Sequence, residues 1–210
     1  IDDNQLIFSA FSEKKDRIRS PNFGSHRQFM YKNSNYSKFP DVHPDRLALV
    51  ALLNTLPFVG ETLHIGWQVS QRFLDATTII SRINIKSIEG NIEPIEIKSS
   101  GRHALSFSGG ADSTAALAVM PHSTEPVFML RSESKSRTLY DSQAALESCR
   151  QLSRLGFNVH IIESDFEYLR DPIGFPTDLS VSTPAILFAE SRGFESIAVS
   201  YTHLRAHETP

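Results

Sequence analysis

The chain has 210 residues, of which 40% are hydrophobic and 21% charged, and this balance predicts a folded protein rather than a disordered one. A formal net charge of -3 argues against a protein that coats nucleic acid or anionic membranes with its whole surface. The single cysteine, Cys149, excludes an intrachain disulfide, and no apolar stretch reaches the roughly 20 residues of a membrane helix. We therefore expect a cytoplasmic protein with no membrane partner, and composition leaves its oligomeric state open.

Residues 1–42 mix basic and aromatic side chains without a clear period, which favours an irregular segment. Two interpretations stay open for it. It is a solvated surface segment, or it binds single-stranded RNA, in which cations contact phosphates and rings stack on bases. The residues concerned are Lys14, Lys15, Arg17, Arg19, Arg27, Lys32 and Lys38 with Phe23, Phe29, Tyr31, Tyr36 and Phe39.

Residues 43–98 predict a small helical layer that ends in a strand. Pro44 suits the first position of a helix that Pro57 ends. A second helix is predicted over residues 69–80, and residues 83–88 alternate like a half-buried strand. His64 and Trp67 lie between these elements, and we interpret both as packing residues.

Residues 99–198 predict strands and helices in alternation. Strands are expected at 102–107, 126–130, 158–162 and 196–198, and helices at 115–120, 141–155 and 183–192. Short strands alternating with amphipathic helices form a parallel sheet covered by helices on both faces. The predicted fold class is therefore α/β, preceded by the small mixed region of residues 43–98.

Residues 199–210 are expected to be an artefactual tail. Written back into codons, Val199 to Thr209 resembles a transposon-end sequencing adapter, which also implies that the chain is a fragment and that the α/β domain is truncated at its C-terminus. His203 and His207 have the i, i+4 spacing of a helical metal pair, but we do not interpret them as one.

The chemistry is expected where the first strand of the α/β domain turns into its first helix, at Ser108-Gly109-Gly110-Ala111-Asp112-Ser113-Thr114. Ligands of such sheets bind beyond the carboxyl ends of the strands, and a helix N-terminus offers N–H groups to phosphate. The two glycines let the backbone take unusual angles and approach an anion, and the hydroxyl groups add donors. The Walker pattern and the G-x-G-x-x-G pattern are both absent.

This segment resembles the signature S-G-G-x-D-S of the PP-loop, or N-type, ATP pyrophosphatase superfamily, which is adenine nucleotide alpha hydrolase-like. Average composition would place the five fixed residues in a chain of this length with odds of roughly 1 in 4,000. The resemblance covers about residues 101–198. It implies ATP and Mg²⁺ as cofactors, cleavage of ATP at the α-phosphate to AMP and pyrophosphate, and activation of an acyl or amide-type oxygen of a small-molecule substrate.

The resemblance also assigns residues. The loop would bind the nucleotide phosphates, and the end of the second strand would face adenine and ribose. The positions implied are Ser106, Phe107, Ser108, Gly109, Gly110, Ala111, Asp112, Ser113, Thr114, Leu130, Arg131 and Ser132. Asp112 and Ser113 are the expected catalytic residues, and Asp112 either binds magnesium or caps the helix.

Other polar residues of the domain have weaker claims on the site. Glu163, Asp165 and Asp178 are expected mainly to cap helices or to be solvated, with metal or substrate binding as the alternative. His160 and Cys149 are expected to be structural.

Two alternative functions stay open beside adenylation of a small molecule. A tRNA-modifying enzyme of the same superfamily would use the basic and aromatic start of the chain. A nucleotide sensor would bind ATP without turnover.

Overall fold

The structure, a computed structural model, describes residues 3–12, 23–24, 27–35, 38–81, 83–90, 92–96, 100–132 and 141–200. Its strands are β1 (Gln5–Ser9), β2 (Gln28–Asn33), β3 (Thr62–His64), β4 (Asn84–Lys86), β5 (Arg102–Phe107), β6 (Glu125–Arg131), β7 (His160–Ser164) and β8 (Phe194–Val199). Its α-helices are α1 (Pro44–Thr55), α2 (Gln71–Ser81), α3 (Ala111–Val119), α4 (Ser142–Arg154) and α5 (Thr183–Arg192). Short 3-10 helices cover Leu56–Phe58, Phe166–Leu169 and Asp178–Ser182.

The main sheet has six strands in the order β1-β2-β7-β6-β5-β8. The strands β7, β6, β5 and β8 are parallel, whereas β2 is antiparallel to β7 and β1 is antiparallel to β2. The strands β3 and β4 form a separate parallel pair. The chain therefore steps from β5 to β6 in one direction along the sheet and returns to the other side of β5 to form β8.

Helices cover both faces of the parallel part of the sheet, and the side chains of its central strand β5 alternate between two cores. Leu105 and Phe107 of β5 lie in a core with residues of α3 and α4, whereas Ala104 lies in the other core with residues of α1 and α5. Cys149 is buried in the first core, and burial raises the pKa of its thiol to about 12. The predicted α/β class is confirmed, but the sheet is mostly parallel and not wholly parallel as predicted, because β1 and β2 add two antiparallel pairings.

Several predicted elements of residues 43–198 recur with small shifts. β5 and α5 have the predicted bounds, whereas α3 begins at Ala111, four residues before the predicted helix. The strand predicted over residues 158–162 begins two residues later, because the pairing with β6 begins at His160. Val199, which we assigned to the artefactual tail, belongs to β8 and pairs with Ser106. The remainder of that tail, 201–210, lies outside the described residues, and so do His203 and His207.

The described parts of the first 42 residues include the strands β1 and β2, where the sequence predicts an irregular segment. In β2 the buried Phe29 and Tyr31 alternate with the less buried Met30, and the ring of Phe8 from β1 stacks on Phe29 at 4.9 Å between centroids. Phe39 is also buried. These rings fill the core and are unavailable to stack on bases. Lys14, Lys15, Arg17, Arg19 and Tyr36, which the RNA interpretation also used, lie outside the described residues.

A buried polar cluster connects three parts of the chain. The hydroxyl of Tyr31 in β2 is 2.7 Å from Thr183 Oγ1 in α5 and accepts a 2.7 Å hydrogen bond from Asn54 Nδ2 in α1. Burial raises the pKa of Tyr31 well above its usual range. The strands at the start of the chain thus share one core with the later helices.

Within the described ranges, none of the helices has the length and apolar character needed to cross a membrane.

Candidate functional site

The loop Ser108-Gly109-Gly110 connects β5 directly to α3 at the carboxyl edge of the sheet. β5 ends at Phe107, and Gly110 is the N-cap of α3. Because β6 and β8 lie on opposite sides of β5, this loop stands at the point where the direction of the strand order reverses. Crevices at such switch points are where open α/β sheets bind their ligands.

A residue without a side chain suits positions 109 and 110 for different structural reasons. Gly109 has φ of +81°, and a Cβ there would lie 3.1 Å from both Cα and Cβ of Ala145 in α4. Gly110 has φ of −92° and ψ of 175°, and its Cβ would meet only Ser108 Oγ, at 3.5 Å. Of the two glycines, only Gly109 uses the unusual backbone angles that glycine allows. The small size of Gly110 instead leaves open space in front of the helix.

Hydroxyl groups of residues 108–114 stabilise this loop by hydrogen bonds within the segment. Ser113 is fully buried, and its Oγ donates to the carbonyl of Gly110 at 3.0 Å and accepts from the N–H of Ser108 at 3.3 Å. Ser108 Oγ lies 3.1 Å from Ser113 Oγ, and Thr114 Oγ1 donates to the Gly110 carbonyl at 2.9 Å. The predicted catalytic residue Ser113 thus holds the shape of the loop through its side chain.

Several backbone amides of the loop remain available to an anion. In the described part of the chain, no acceptor binds the N–H of the half-buried Gly109 or the exposed Ala111, and the N–H of Gly110 reaches Ser108 Oγ only at 3.4 Å. The first N–H groups of a helix have no partner inside the helix and carry the positive end of its dipole. This arrangement can bind a phosphate group.

Asp112 lies exposed on the first turn of α3. Across the described ranges, no group of three or more His, Cys, Asp and Glu side chains is placed to hold a metal ion. Mg²⁺ commonly takes one or two protein carboxylates and completes its shell with water and substrate phosphates. A single carboxylate beside a loop that can bind phosphate fits that kind of site.

Ser106 and Phe107 support the loop from the core. Phe107 packs with the residues of α3 and α4. The Ser106 side chain is buried, and its Oγ has no hydrogen-bond partner among the described residues. Neither side chain joins the exposed part of the loop.

The end of β6 is held by protein contacts. The Nε of Arg131 donates to Glu167 Oε2 at 2.6 Å, and its guanidinium lies 5.4 Å from the ring centroid of Phe175. Ser132 donates from Oγ to Glu163 Oε1 at 3.3 Å, and its N–H binds the Ser164 carbonyl. Leu130 packs against the core of α3 and α4. The Arg131 charge is thus already matched by a buried carboxylate.

The other acidic residues have structural partners. Asp165, which directly follows β7, accepts a 2.7 Å hydrogen bond at Oδ1 from the N–H of Met30 in β2. This bond attaches the turn that begins after β7 to the neighbouring strand β2. Asp178 begins a 3-10 helix.

His160 lies at the opposite, amino edge of the sheet. It is buried, and its Nε2 is 2.6 Å from Glu125 Oε2. Burial lowers its pKa, outweighing the effect of Glu125.

Residues of α4 support the loop, and no motif in the sequence marks them. Ser148 Oγ donates to the carbonyl of Gly109 at 3.2 Å, and Ala145 occupies the space that a Cβ on Gly109 would enter. Periodicity places Ala145 on the buried stripe of α4, but it cannot show which loop lies against that stripe.

Comparison of the chain with protein-family models, curated proteins and solved structures found no match.

Proposed function

We propose that this protein binds ATP with its β- and γ-phosphates in the loop of Ser108 to Ser113 and cleaves it at the α-phosphate. One observation carries the proposal: an S-G-G-x-D-S sequence lies between a buried parallel strand and a helix, at the switch point, and no acceptor among the described residues binds the N–H of Gly109 or Ala111. The resemblance of this signature to the PP-loop superfamily supplies the reaction class.

In the proposed reaction an oxygen of an acyl, amide or ureido group attacks the α-phosphorus. The bond between that phosphorus and the bridging oxygen breaks, and pyrophosphate leaves with the electron pair. A second nucleophile then displaces AMP. The chain's part is to position the leaving group and stabilise its charge, which the amides of Gly109, Gly110 and Ala111 would do without a protein nucleophile.

Asp112 would hold magnesium against the phosphates. The ion, when bound, would neutralise part of the charge that develops on pyrophosphate. The Arg131 guanidinium is committed to Glu167, so contacts of the β6 end with adenine and ribose would come from backbone groups near Leu130.

The RNA alternative has less support than small-molecule adenylation. Three of the rings that would stack on RNA bases, those of Phe29, Tyr31 and Phe39, are buried. Adenylation of a small molecule is therefore the function that the site supports best.

The test is an assay of ATP cleavage by the full chain, with Mg²⁺ and a panel of carboxylate, amide and ureido acceptors. The expected products are AMP and pyrophosphate in equal amounts. ADP with inorganic phosphate, or ATP binding without AMP under every condition, would contradict the proposed reaction; the second result would indicate a sensor.

Gly110→Ala is the matched variant for this assay, because its backbone angles are ordinary and its methyl group would stand in front of the helix start. We expect it to fold and to bind ATP about 10-fold more weakly, equivalent to roughly 1.4 kcal/mol. Gly66→Ala is the control, since its added Cβ would meet nothing within 4 Å.

A further inference from the structure

The helix α4 holds the peptide between the two glycines of the loop. Ser148 Oγ donates to the Gly109 carbonyl at 3.2 Å, and it lies at the same distance from the Ala144 carbonyl of its own helix. A hydroxyl group has one proton, so these two carbonyls share it. Ala145 of the same helix also lies close to the loop, since a Cβ on Gly109 would stand 3.1 Å from Ala145 Cα.

This contact fixes the direction of an amide. In a trans peptide the carbonyl and the following N–H point in opposite directions. With the Gly109 carbonyl directed at α4, the N–H of Gly110 is directed away from α4. The long 3.4 Å distance to Ser108 Oγ leaves this N–H able to bind an incoming anion.

A Gly-Gly peptide is the kind that most easily rotates. Neither flanking residue has a Cβ to oppose rotation, and glycine takes positive and negative φ with similar ease. A rotated peptide would direct the Gly109 carbonyl, the negative end of the dipole, toward a bound phosphate. The loop therefore needs a restraint from outside its own sequence.

We infer that Ser148 is a positioning residue of the phosphate loop, which keeps the N–H of Gly110 directed at the leaving pyrophosphate. This inference rests on the proposed function. Ser148 lies on a well-anchored element: Asp141 caps α4 by accepting the N–H groups of Gln143 and Ala144, and Cys149 is buried in the core. A support on a packed helix restrains a site better than another loop would.

The test combines binding of inorganic pyrophosphate, measured by calorimetry, with amide hydrogen exchange of Gly110 in the ligand-free full chain. Ser148→Ala removes the hydroxyl, and Ser148→Thr restores it. Ser153→Ala is the matched control, because Ser153 Oγ donates only to the Cys149 carbonyl of the same helix.

Ser148→Ala is expected to weaken pyrophosphate binding roughly 3- to 10-fold, the range for loss of one hydrogen bond, and to change the exchange rate of the Gly110 amide. Ser148→Thr is expected to recover most of the affinity, and Ser153→Ala to match the wild type. Equal affinity of Ser148→Ala and wild type, or an equal loss in Ser153→Ala, would overturn the inference.

The two readouts separate this inference from the proposed function. A wild-type chain that binds no pyrophosphate would contradict the proposed function and, with it, the ligand role of Ser148. A wild-type chain that binds pyrophosphate, with Gly110 exchange unchanged in Ser148→Ala, would overturn only the role of Ser148.

Discussion

At the scale of single residues, we expect Gly109 to matter for stability and Gly110 for phosphate binding. Gly109 combines a positive φ with a close approach to α4, whereas Gly110 has neither. The S-G-G-x-D-S sequence predicts a bend at this place, but it does not distinguish the two glycines. The distinction comes from Ala145, which is 36 positions away in sequence and reaches the loop only through the packing of α4.

Gly109→Ala is expected to destabilise the protein by about 1 to 3 kcal/mol, because the new methyl group would be strained by the backbone angle and would press on Ala145. Urea unfolding monitored by circular dichroism measures the change. Gly110→Ala, the control, is expected to cost less. A Gly109→Ala variant as stable as the wild type would show that this loop has a different conformation.

His160 is expected to make stability depend on pH. Burial lowers its folded pKa below the value near 6.5 of an unfolded histidine, so the unfolded state binds more protons at mildly acidic pH. Its contribution to stability is complete above pH 6.5 and is lost as the pH falls through the folded pKa. One proton limits the slope to about 1.4 kcal/mol per pH unit.

Urea unfolding of wild type and His160→Gln between pH 7.5 and 5 checks this expectation. The glutamine amide can still donate to Glu125 but does not titrate in this range. We expect a shallower loss of stability on acidification in the variant. Parallel pH profiles would mean that His160 does not titrate differently in the folded and unfolded states.

At the scale of elements, the four parallel strands and their helices were largely predictable, whereas the antiparallel strands were not. β5 and α5 have strong local patterns, an apolar run and a helical face ended by Gly193 with φ of +69°. β2 buries alternate residues, but the polar residues around it obscure that period, and the residues of β7 that pair with it lie 129 to 133 positions away. β3, with three residues, is too short to show a period.

The polar cluster around Tyr31 predicts the strength of the contact between β2 and the helices. Tyr31→Phe would leave Asn54 Nδ2 and Thr183 Oγ1 without this buried partner, and we expect a loss of about 1 to 3 kcal/mol. Tyr168→Phe is the control, because the Tyr168 hydroxyl makes a longer, 3.4 Å bond to the Ser132 carbonyl. Equal stability of both variants in urea would contradict the importance of the cluster.

At the scale of the whole molecule, a single core contains residues from all three regions that composition predicts to be separate. The predicted division at residues 42 and 98 followed changes in composition, but Phe29, Val50 and Leu187 belong to the same buried cluster. Such contacts depend on tertiary packing and leave no local period in the sequence. The candidate site is different in kind, because its strand, loop and helix are consecutive in the chain.

The shared core predicts a single cooperative unfolding transition. Trp67, the one tryptophan of the chain, packs against this core, whereas circular dichroism reports all helices. We expect the fluorescence of Trp67 and the far-ultraviolet signal to change at the same urea concentration. Separate midpoints for the two signals would show that residues 43–98 unfold independently.

The measurement that tests the central claim most directly is a titration of the isotope-labelled full chain with inorganic pyrophosphate, followed by nuclear magnetic resonance of the backbone amides. We predict the largest saturable shifts at Gly109, Gly110 and Ala111, with phosphate a weaker ligand than pyrophosphate. The absence of saturable shifts at these amides, or larger shifts elsewhere in the chain, would contradict a phosphate-binding role for the loop.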